Sequence, residues 1–235
     1  MKIKITLLFL FFGVSLFAHV RWTVFGGPGY AYYQGDVAHS VIPNGQTMKI
    51  SALVGASYMV FKHVGIRYHL SGSVLHGSDL YASSPDLINR GLSFKTNLLQ
   101  GGFSIKFNRI IGKPKTKFIN YIFLGTDLAV IDVMVTPGSK PMVQEGDYSR
   151  YQIINPFGIG LGYWFSKRYG LAYEATMHIS STDYLDGISY NGKPKGRDTY
   201  ISNTVILVAR LGKLNYRKRP SGRYKFHQFE IPYNY

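Results

Sequence analysis

Residues Tyr169–Ser180 read YGLAYEATMHIS, and apolar or aromatic side chains occupy every second position of this stretch. Successive side chains of a β-strand point to opposite faces, so the stretch has one apolar face and one mixed face. The mixed face carries Glu174 and His178 among glycine, alanine, threonine and serine. The pattern predicts a strand that separates an apolar environment from a polar one.

Seven further stretches have the same strand character. Alternation is clear in residues 48–60, 64–71, 157–163 and 204–211, whereas the strands near 20–33 and 118–133 are too irregular to assign faces. The apolar parity of the fourth strand, residues 92–108, changes at Leu98-Leu99, which predicts a β-bulge there. The total of eight is an even number, as single-chain bacterial membrane barrels require.

The connections between these strands alternate in length. Those after the second, fourth and sixth strands are short, and those after the first, third, fifth and seventh are long. Outer-membrane barrels have short periplasmic turns and longer extracellular loops. The sequence therefore predicts an all-β, eight-stranded antiparallel transmembrane barrel in the outer membrane of a Gram-negative cell, with both termini in the periplasm.

The N-terminus has the features of a secretory leader. Two lysines precede the apolar run 5–17, which ends at the small residue Ala18. We expect a signal peptide at 1–18, a barrel at 19–212 and a basic, aromatic tail at 213–235. An uncleaved N-terminal anchor is the alternative, although the apolar run is short for a spanning helix.

Aromatic residues cluster at the predicted strand ends, as they do at membrane interfaces. A periplasmic girdle would contain Tyr58, Phe61, Phe107, Phe118, Tyr121, Phe165 and Tyr169, and an outer girdle Tyr30, Tyr32, Tyr33, Tyr151 and Tyr200. Alternation alone does not say which face is inside, and a soluble lipocalin-like barrel would reverse the two faces. The girdles, the loop asymmetry and the glycines beside the charged residues favour the membrane barrel.

The composition narrows the classes of partner. The chain has a formal net charge of +15 and no cysteine, so it forms no disulfide. In an exported protein such basicity points to anionic lipid head groups, acidic glycans or an acidic protein, and not to nucleic acid. Lipid of the outer membrane and a periplasmic protein complex are the expected partners.

Local motifs carry a family resemblance. They are SKRYGLAYE at 166–174, TDYLDGIS at 182–189, Gly26-Gly27 followed by YQGD at 33–36, RGLSF at 90–94 and IKFN at 105–108. In these motifs the chain resembles the PorG-like family of outer-membrane β-barrels of the type IX secretion system. The resemblance implies a non-enzymatic barrel, without a cofactor, that associates with periplasmic secretion or gliding components.

Charged residues on the mixed faces are the first candidate site: Arg67, His69, Lys106, Glu174, His178 and Arg210. They could line a selective pore or form a hydrogen-bonded ionic plug. An eight-stranded barrel is only wide enough to be filled by its own side chains, which favours the plug. Glu174 is then the expected counter-ion of a nearby arginine or lysine, because an unpaired buried carboxylate is costly.

The sequence offers two alternative chemistries, hydrolysis of lipid and binding of calcium. Glu174, His178 and Ser180 share a face and could suggest a lipid-modifying hydrolase, but Glu174 and His178 would be about 13 Å apart along one strand. Asp79, Asp86, Asp183 and Asp186 lie in predicted outer loops, yet their spacing matches no calcium-binding loop. No catalytic or metal-ligating residue is predicted.

The tail is the second candidate site. Its proposed partner-binding residues are Arg217, Lys218, Arg219, Arg223, Tyr224, Lys225 and Phe226, and the tail contains a single acid, Glu230. It could bind an acidic partner through its charges and aromatic anchors, or contact lipid head groups as a disordered segment. The sequence thus predicts an anchor or accessory subunit of a periplasmic secretion assembly, with a narrow pore or a lipid-modifying enzyme as alternatives.

Overall fold

The computed structural model describes residues 22–35, 45–61, 63–81, 85–108, 117–136, 149–187 and 197–211. Eight strands form one sheet: β1 (Trp22–Gln34), β2 (Lys49–Met59), β3 (Val64–Ser78), β4 (Ser93–Asn108), β5 (Phe118–Thr136), β6 (Tyr151–Tyr163), β7 (Tyr169–Ser180) and β8 (Thr199–Leu211). Each strand pairs antiparallel with the next and β8 pairs with β1, so the barrel is closed. The predicted fold class is confirmed. The predicted leader and the tail at 213–235 lie outside the described residues.

The connection between β3 and β4 contains a 3₁₀ turn, Asp79–Tyr81, and a short helix, α1 (Pro85–Arg90). Among the described residues, no helix is long and apolar enough to cross a membrane.

The strands are staggered around the barrel. A row of directly paired residues that starts at Trp22 passes once through all eight strands and returns to β1 at Tyr32, ten positions further along. This stagger requires the strands to tilt relative to the barrel axis. The row consists of outward-facing residues, among them Ile66, Ile105 and Phe157.

The outer surface is apolar and the interior contains the charges. Ile50, Leu99 and Phe103 are 61–71% exposed on the outside, whereas Arg67 and Glu174 are 1–2% exposed in the lumen. A water-soluble barrel would show the opposite arrangement. The outward face therefore matches lipid, and the inverted alternative left open by the sequence is excluded.

The predicted β-bulge at Leu98-Leu99 is wrong. The pairing of β4 with β3 and with β5 runs without a break from end to end, and Leu98 is buried in the lumen while Leu99 faces outward. The apparent change of parity has another cause. The inward residues of β4 are apolar near its start, Phe94 and Leu98, because the lumen itself is apolar there.

Three members of the predicted girdles also face inward. Tyr33, Tyr121 and Tyr200 are 0–4% exposed inside the barrel. Each hydroxyl hydrogen-bonds a polar group of the interior, which a tyrosine at a lipid interface would not reach. The remaining girdle residues lie on the outer surface or at the strand ends, as predicted, with Tyr151, Phe165 and Tyr169 about half or more exposed.

The interior contains two apolar clusters. One lies at the end of the long connections and contains Tyr33, Leu75, Phe94, Ile131, Leu185 and Tyr200 among others. The second lies towards the short turns and includes Phe25, Tyr121, Phe123, Ile206 and Val208. Charged side chains are buried between and within these clusters.

Candidate functional site: a filled lumen

An ion pair crosses the lumen. Arg67 on β3 donates from Nη1 and Nη2 to the two carboxylate oxygens of Glu174 on β7, and both distances are 2.7 Å. In the order of the closed sheet, β3 and β7 are opposite strands. The rings of Phe25 and Phe123 flank the guanidinium, with centroids 4.4 and 4.2 Å from Cζ. A bidentate pair between two aromatic faces spans the barrel at this level.

Two further residues complete this layer. The Tyr121 hydroxyl donates to Glu174 Oε2 at 2.7 Å, so the carboxylate accepts three hydrogen bonds. The ammonium of Lys106 lies 3.8 Å from the centroid of the Tyr121 ring. Lys106 therefore lies close to the Glu174 carboxylate without bonding it directly.

Glycines of β6 make room for the aromatic rings. Gly160 pairs with Tyr121 on one side and with Glu174 on the other, so it lies beneath the bond that joins them. A Cβ built on Gly160 would lie 2.1 Å from the Tyr121 ring, and one on Gly158 would lie 2.3 Å from the Phe123 ring. The alternating glycines of this strand thus let rings from β5 lie across its inner face and reach β7.

His69 and Asp127 form a second link above this layer. His69 Nε2 lies 2.9 Å from Asp127 Oδ2, and both residues are buried. Gly102 on β4 is paired with both of them, so the contact passes over a residue without a side chain. A Cβ at Gly102 would lie 2.3 Å from Asp127 Oδ1.

A chain of neutral groups surrounds His178. Tyr200 donates its hydroxyl to Gln100 Oε1 at 2.6 Å, and Gln100 Nε2 lies 3.1 Å from His178 Nδ1. His178 Nε2 lies 2.9 Å from Ser202 Oγ, and the His178 and Tyr200 rings are stacked with centroids 4.1 Å apart. With the Gln100 amide oriented so that its Nε2 faces His178, Nδ1 is the acceptor and the imidazole proton is assigned to Nε2, towards Ser202.

The arrangement considered for a hydrolase is not assembled. Glu174 bonds Arg67 and Tyr121, whereas His178 bonds Gln100 and Ser202. The His178–Ser202 pair has no carboxylate on Nδ1, where the Gln100 amide lies, and Ser180 Oγ is instead 3.4 Å from Thr182 Oγ1.

Arg210 is separate from the other predicted lumen charges. Its guanidinium lies 3.8 Å from the Trp164 ring centroid and its Nη1 contacts the Lys167 carbonyl at 3.4 Å, at the short-turn end of the barrel. The structure brings Arg67, Lys106 and Glu174 into one layer. It places His69 and His178 in the next layer, each with a partner that the alternation pattern does not indicate.

The missed partners are Asp127, Tyr121, Gln100 and Tyr200. Two lie on β5, where the irregular alternation left the faces unassigned. The two tyrosines were placed in the girdles because tyrosine suits both an interface and a polar interior. The one available signal for Asp127 was its charge in an apolar run, FLGTDLAVI at 123–131.

The aspartates of the outer connections have protein partners. Asp79 is fully buried and accepts hydrogen bonds from Arg90 Nε at 2.7 Å, Arg90 Nη2 at 2.8 Å and the Leu92 amide at 3.0 Å. The Tyr33 hydroxyl lies between two carboxylates, 2.9 Å from Asp186 Oδ2 and closer to Asp198 Oδ1, and they share its single proton as acceptors. Within the described ranges, no three His, Asp or Glu residues are grouped so as to hold a metal ion.

The space left in the lumen is small. A cavity of about 20 Å³ lies beside Arg67, Glu174, His69 and His178, and this volume is enough for about one water molecule. Its lining includes Ser51 Oγ and Ser71 Oγ, buried hydroxyls without a hydrogen-bond partner, so the cavity is polar. At the level of the ion pair the described barrel is filled by side chains.

Comparison with known proteins gives fold likenesses only. No protein-family model matches the chain, and no curated protein matches its sequence. Among solved structures it is similar to Neisserial surface protein A, at 12% identity and a TM-score of 0.49, covering 81% of this chain and 97% of that one. It is also similar to a major outer membrane protein of Thermus thermophilus, at 10% identity and a TM-score of 0.45, covering 81% and 99%. The attachment invasion locus protein Ail of Yersinia pestis matches at 10% identity and a TM-score of 0.43, covering 82% and 98%. Values this low do not bear on the function of this chain.

Proposed function

We propose that this protein is a non-enzymatic outer-membrane barrel that acts as an anchor or accessory subunit of a periplasmic assembly, of the type IX secretion or gliding class. In this proposal no ions or solutes pass through the lumen of the barrel. It holds its periplasmic turns and basic tail at the membrane, where they bind an acidic protein surface.

The observation that carries the proposal is the Arg67–Glu174 pair between Phe25 and Phe123. A path for ions through the barrel would have to break a bidentate bond that spans opposite strands. A buried charge whose partner is removed is costly, so the pair opposes such a path. In this proposal a barrel whose lumen is closed acts by binding other molecules at its outer surfaces, and not by transport through its lumen.

The residues around His178 support the non-enzymatic part of the proposal. A serine hydrolase needs a base that takes the proton of its nucleophile, with a third group to orient the base. Here Gln100 donates to His178 Nδ1, which leaves the proton of the imidazole on the side of Ser202. This tautomer donates to the serine and does not activate it.

Support for the periplasmic partner comes from the sequence. The tail carries six basic residues, Lys213, Arg217, Lys218, Arg219, Arg223 and Lys225, against one acid. Clustered charges with neighbouring aromatic residues provide fast, salt-sensitive association and local anchors. The resemblance of the chain's motifs to the PorG-like family is what supports this class of assembly.

The experiment is quantitative crosslinking and capture from outer membranes of the native host, with three forms of the protein. One is the full chain, one is truncated after Leu211, and one carries Arg217→Gln, Lys218→Gln and Arg219→Gln. A charge-matched control carries Lys140→Gln, Lys193→Gln and Lys195→Gln in the long connections, on the predicted outer side, which keeps the tail and the periplasmic turns intact. Heat-dependent migration on gels checks that every barrel is folded.

We expect one set of periplasmic proteins to be captured by the full chain and by the control, and to be lost from the truncated and tail-substituted forms. Equal capture by all forms would place binding outside the tail. If no form captures a protein, the anchor proposal fails. Ion conductance would then favour the narrow pore, and turnover of lipid A or phospholipid that His178→Ala abolishes would favour the enzyme.

A further inference from the structure

Charge is distributed unevenly between the two ends of the barrel. Of the eight carboxylates among the described residues, Glu174 and Asp127 lie in the lumen, and six lie towards the long connections: Asp79, Asp86, Asp132, Asp183, Asp186 and Asp198. The described residues at the end with the short turns thus contain no carboxylate outside the lumen. They include three exposed cations, Lys117, Lys167 and Arg168. This end of the barrel therefore attracts anions.

The three cations lie on adjoining parts of the wall. The Trp164 amide donates to the Lys117 carbonyl at 2.8 Å, so the residue before β5 lies beside the end of β6. Lys167 and Arg168 belong to the turn that joins β6 to β7, the next strand around the barrel. Neighbouring strands are about 4.8 Å apart, so the backbones of Lys117 and Arg168 are separated by roughly 10 Å. Side chains as long as these can meet at one anionic group.

The turn that carries Lys167 and Arg168 is held in place by hydrogen bonds. The Ser166 amide donates to the Tyr169 carbonyl at 3.0 Å, and the Arg168 and Tyr169 amides donate to Ser166 Oγ at 3.1 and 2.8 Å. From the neighbouring strand β8, Arg210 Nη1 donates to the Lys167 carbonyl at 3.4 Å. A turn fixed in this way loses little conformational freedom when it binds a ligand.

Apolar and aromatic side chains of the outer wall adjoin the cations. Four aromatic residues there are 46–56% exposed: Phe118, Tyr163, Phe165 and Tyr169. The ammonium of Lys117 lies 5.8 Å from the centroid of the Tyr163 ring. Tyr163 pairs with Leu171, and Leu161 follows on the same outer face, with both leucines exposed. Cations next to aromatic rings and leucines are complementary to a lipid, whose phosphate lies beside its acyl chains.

We propose that Lys117, Lys167 and Arg168 bind the phosphate of an anionic phospholipid of the inner leaflet, with its acyl chains along the outer wall at Leu161 and Leu171. Lysine binds phosphate as a point charge, and arginine binds it in a bidentate manner. A zwitterionic head group carries a cation of its own beside the phosphate, so these residues bind it more weakly. The inference rests on the periplasmic placement of the short turns proposed above, and it leaves the basic tail available for a protein partner.

The test uses the full mature chain purified in detergent and native mass spectrometry, which counts the lipids that each barrel retains. Cardiolipin and phosphatidylglycerol are the anionic probes, and phosphatidylethanolamine is the zwitterionic probe. A neutral triple variant carries Lys117→Gln, Lys167→Gln and Arg168→Gln. One control conserves the charges through Lys117→Arg, Lys167→Arg and Arg168→Lys. A second control removes three exposed cations from the opposite end of the barrel, through Lys95→Gln, Arg150→Gln and Arg197→Gln.

We expect the wild type and both controls to retain the two anionic lipids in preference to phosphatidylethanolamine. The neutral triple variant should bind the anionic lipids on the order of 100-fold more weakly, because each cation near the surface contributes about fivefold. Equal retention of all three lipids by the wild type would overturn the proposal, and this result does not depend on the folding of any variant. An equal loss of anionic lipid from the neutral triple variant and the opposite-end control would also overturn it.

Capture from outer membranes with the neutral triple variant separates this inference from the proposed function. A variant that loses anionic lipid and still captures the periplasmic proteins supports a lipid site at the turn and a protein site in the tail. A variant that keeps its anionic lipid and loses the proteins would refute the lipid site and make the turn a protein-binding surface. Retention of anionic lipid by a wild type that captures no protein refutes only the anchor.

Discussion

Arg67 and Glu174 lie on opposite strands of the barrel and are joined by two hydrogen bonds of 2.7 Å. The pair crosses the lumen, and the rings of Phe25 and Phe123 cover the guanidinium. The centre of the barrel is therefore held by a polar contact between residues that are 107 positions apart in the chain.

Glu174→Gln should destabilise the barrel by about 3–5 kcal/mol, because it leaves the buried guanidinium of Arg67 without its counter-charge. Arg67→Met combined with Glu174→Gln removes both charges and should recover part of that loss. Urea unfolding in lipid vesicles measures the free energies of unfolding. The single variant Arg67→Met completes the comparison. If the double variant lost as much stability as Glu174→Gln and Arg67→Met together, the two residues would not be coupled.

Gly160→Ala should cost about 1–3 kcal/mol, because the new methyl group would force the Tyr121 ring away from Glu174. Gly72→Ala is the matched control, since its methyl group points into open space, and it should change stability by less than about 0.5 kcal/mol. Urea midpoints of the two variants provide the comparison. Equal losses of stability in the two variants would mean that the absence of a side chain at Gly160 is not needed to make room for the Tyr121 ring.

Single cysteines test the straight path of β4, because the chain has no cysteine of its own. Nitroxide labels at Leu99, Phe103 and Ile105 should collide readily with oxygen dissolved in lipid, since these side chains are exposed outside the barrel. Labels at Leu98 and Ser104 should be protected, since both are buried. A reversal of this alternation between positions 98 and 103 would restore the β-bulge.

Asp79→Asn should loosen the connection between β3 and β4. Asp79 is fully buried and holds both Arg90 and the Leu92 amide, so the loss of its charge should cost about 1–3 kcal/mol locally. Hydrogen exchange of residues 85–92 should become faster, while the strands keep their protection. Asp86→Asn, on the exposed surface of α1, is the control, and equal acceleration by both variants would contradict the assigned role.

The strands could be predicted from sequence because lipid outside and polar groups inside impose an alternation of period two. The prediction failed where the interior is itself apolar. Leu98 inside and Leu99 outside are both leucine, so the sequence cannot separate the two faces at that point. Three tyrosines were assigned to the wrong face for a related reason: Tyr33, Tyr121 and Tyr200. A tyrosine side chain suits a lipid interface and a buried hydrogen bond equally well.

The charged residues of β3 and β7 in the lumen network were predictable, but their pairing was not, and four of their partners were missed. Glu174 and Arg67 were recognisable as inward charges from the alternation of β7 and β3. Which cation meets Glu174 depends on the closure and stagger of the barrel, which no local pattern records. The glycines of β6 were visible in the sequence, and only the structure shows that they lie beneath the Tyr121 and Phe123 rings.

The most direct test of the filled lumen is single-channel recording of the purified wild-type protein in planar lipid bilayers. Insertion is verified separately by protease protection of the barrel. Because the Arg67–Glu174 pair and its flanking rings occupy the lumen, we predict no ion-conducting steps from the folded protein. Reproducible steps from inserted wild-type barrels would contradict the account and make the protein a pore.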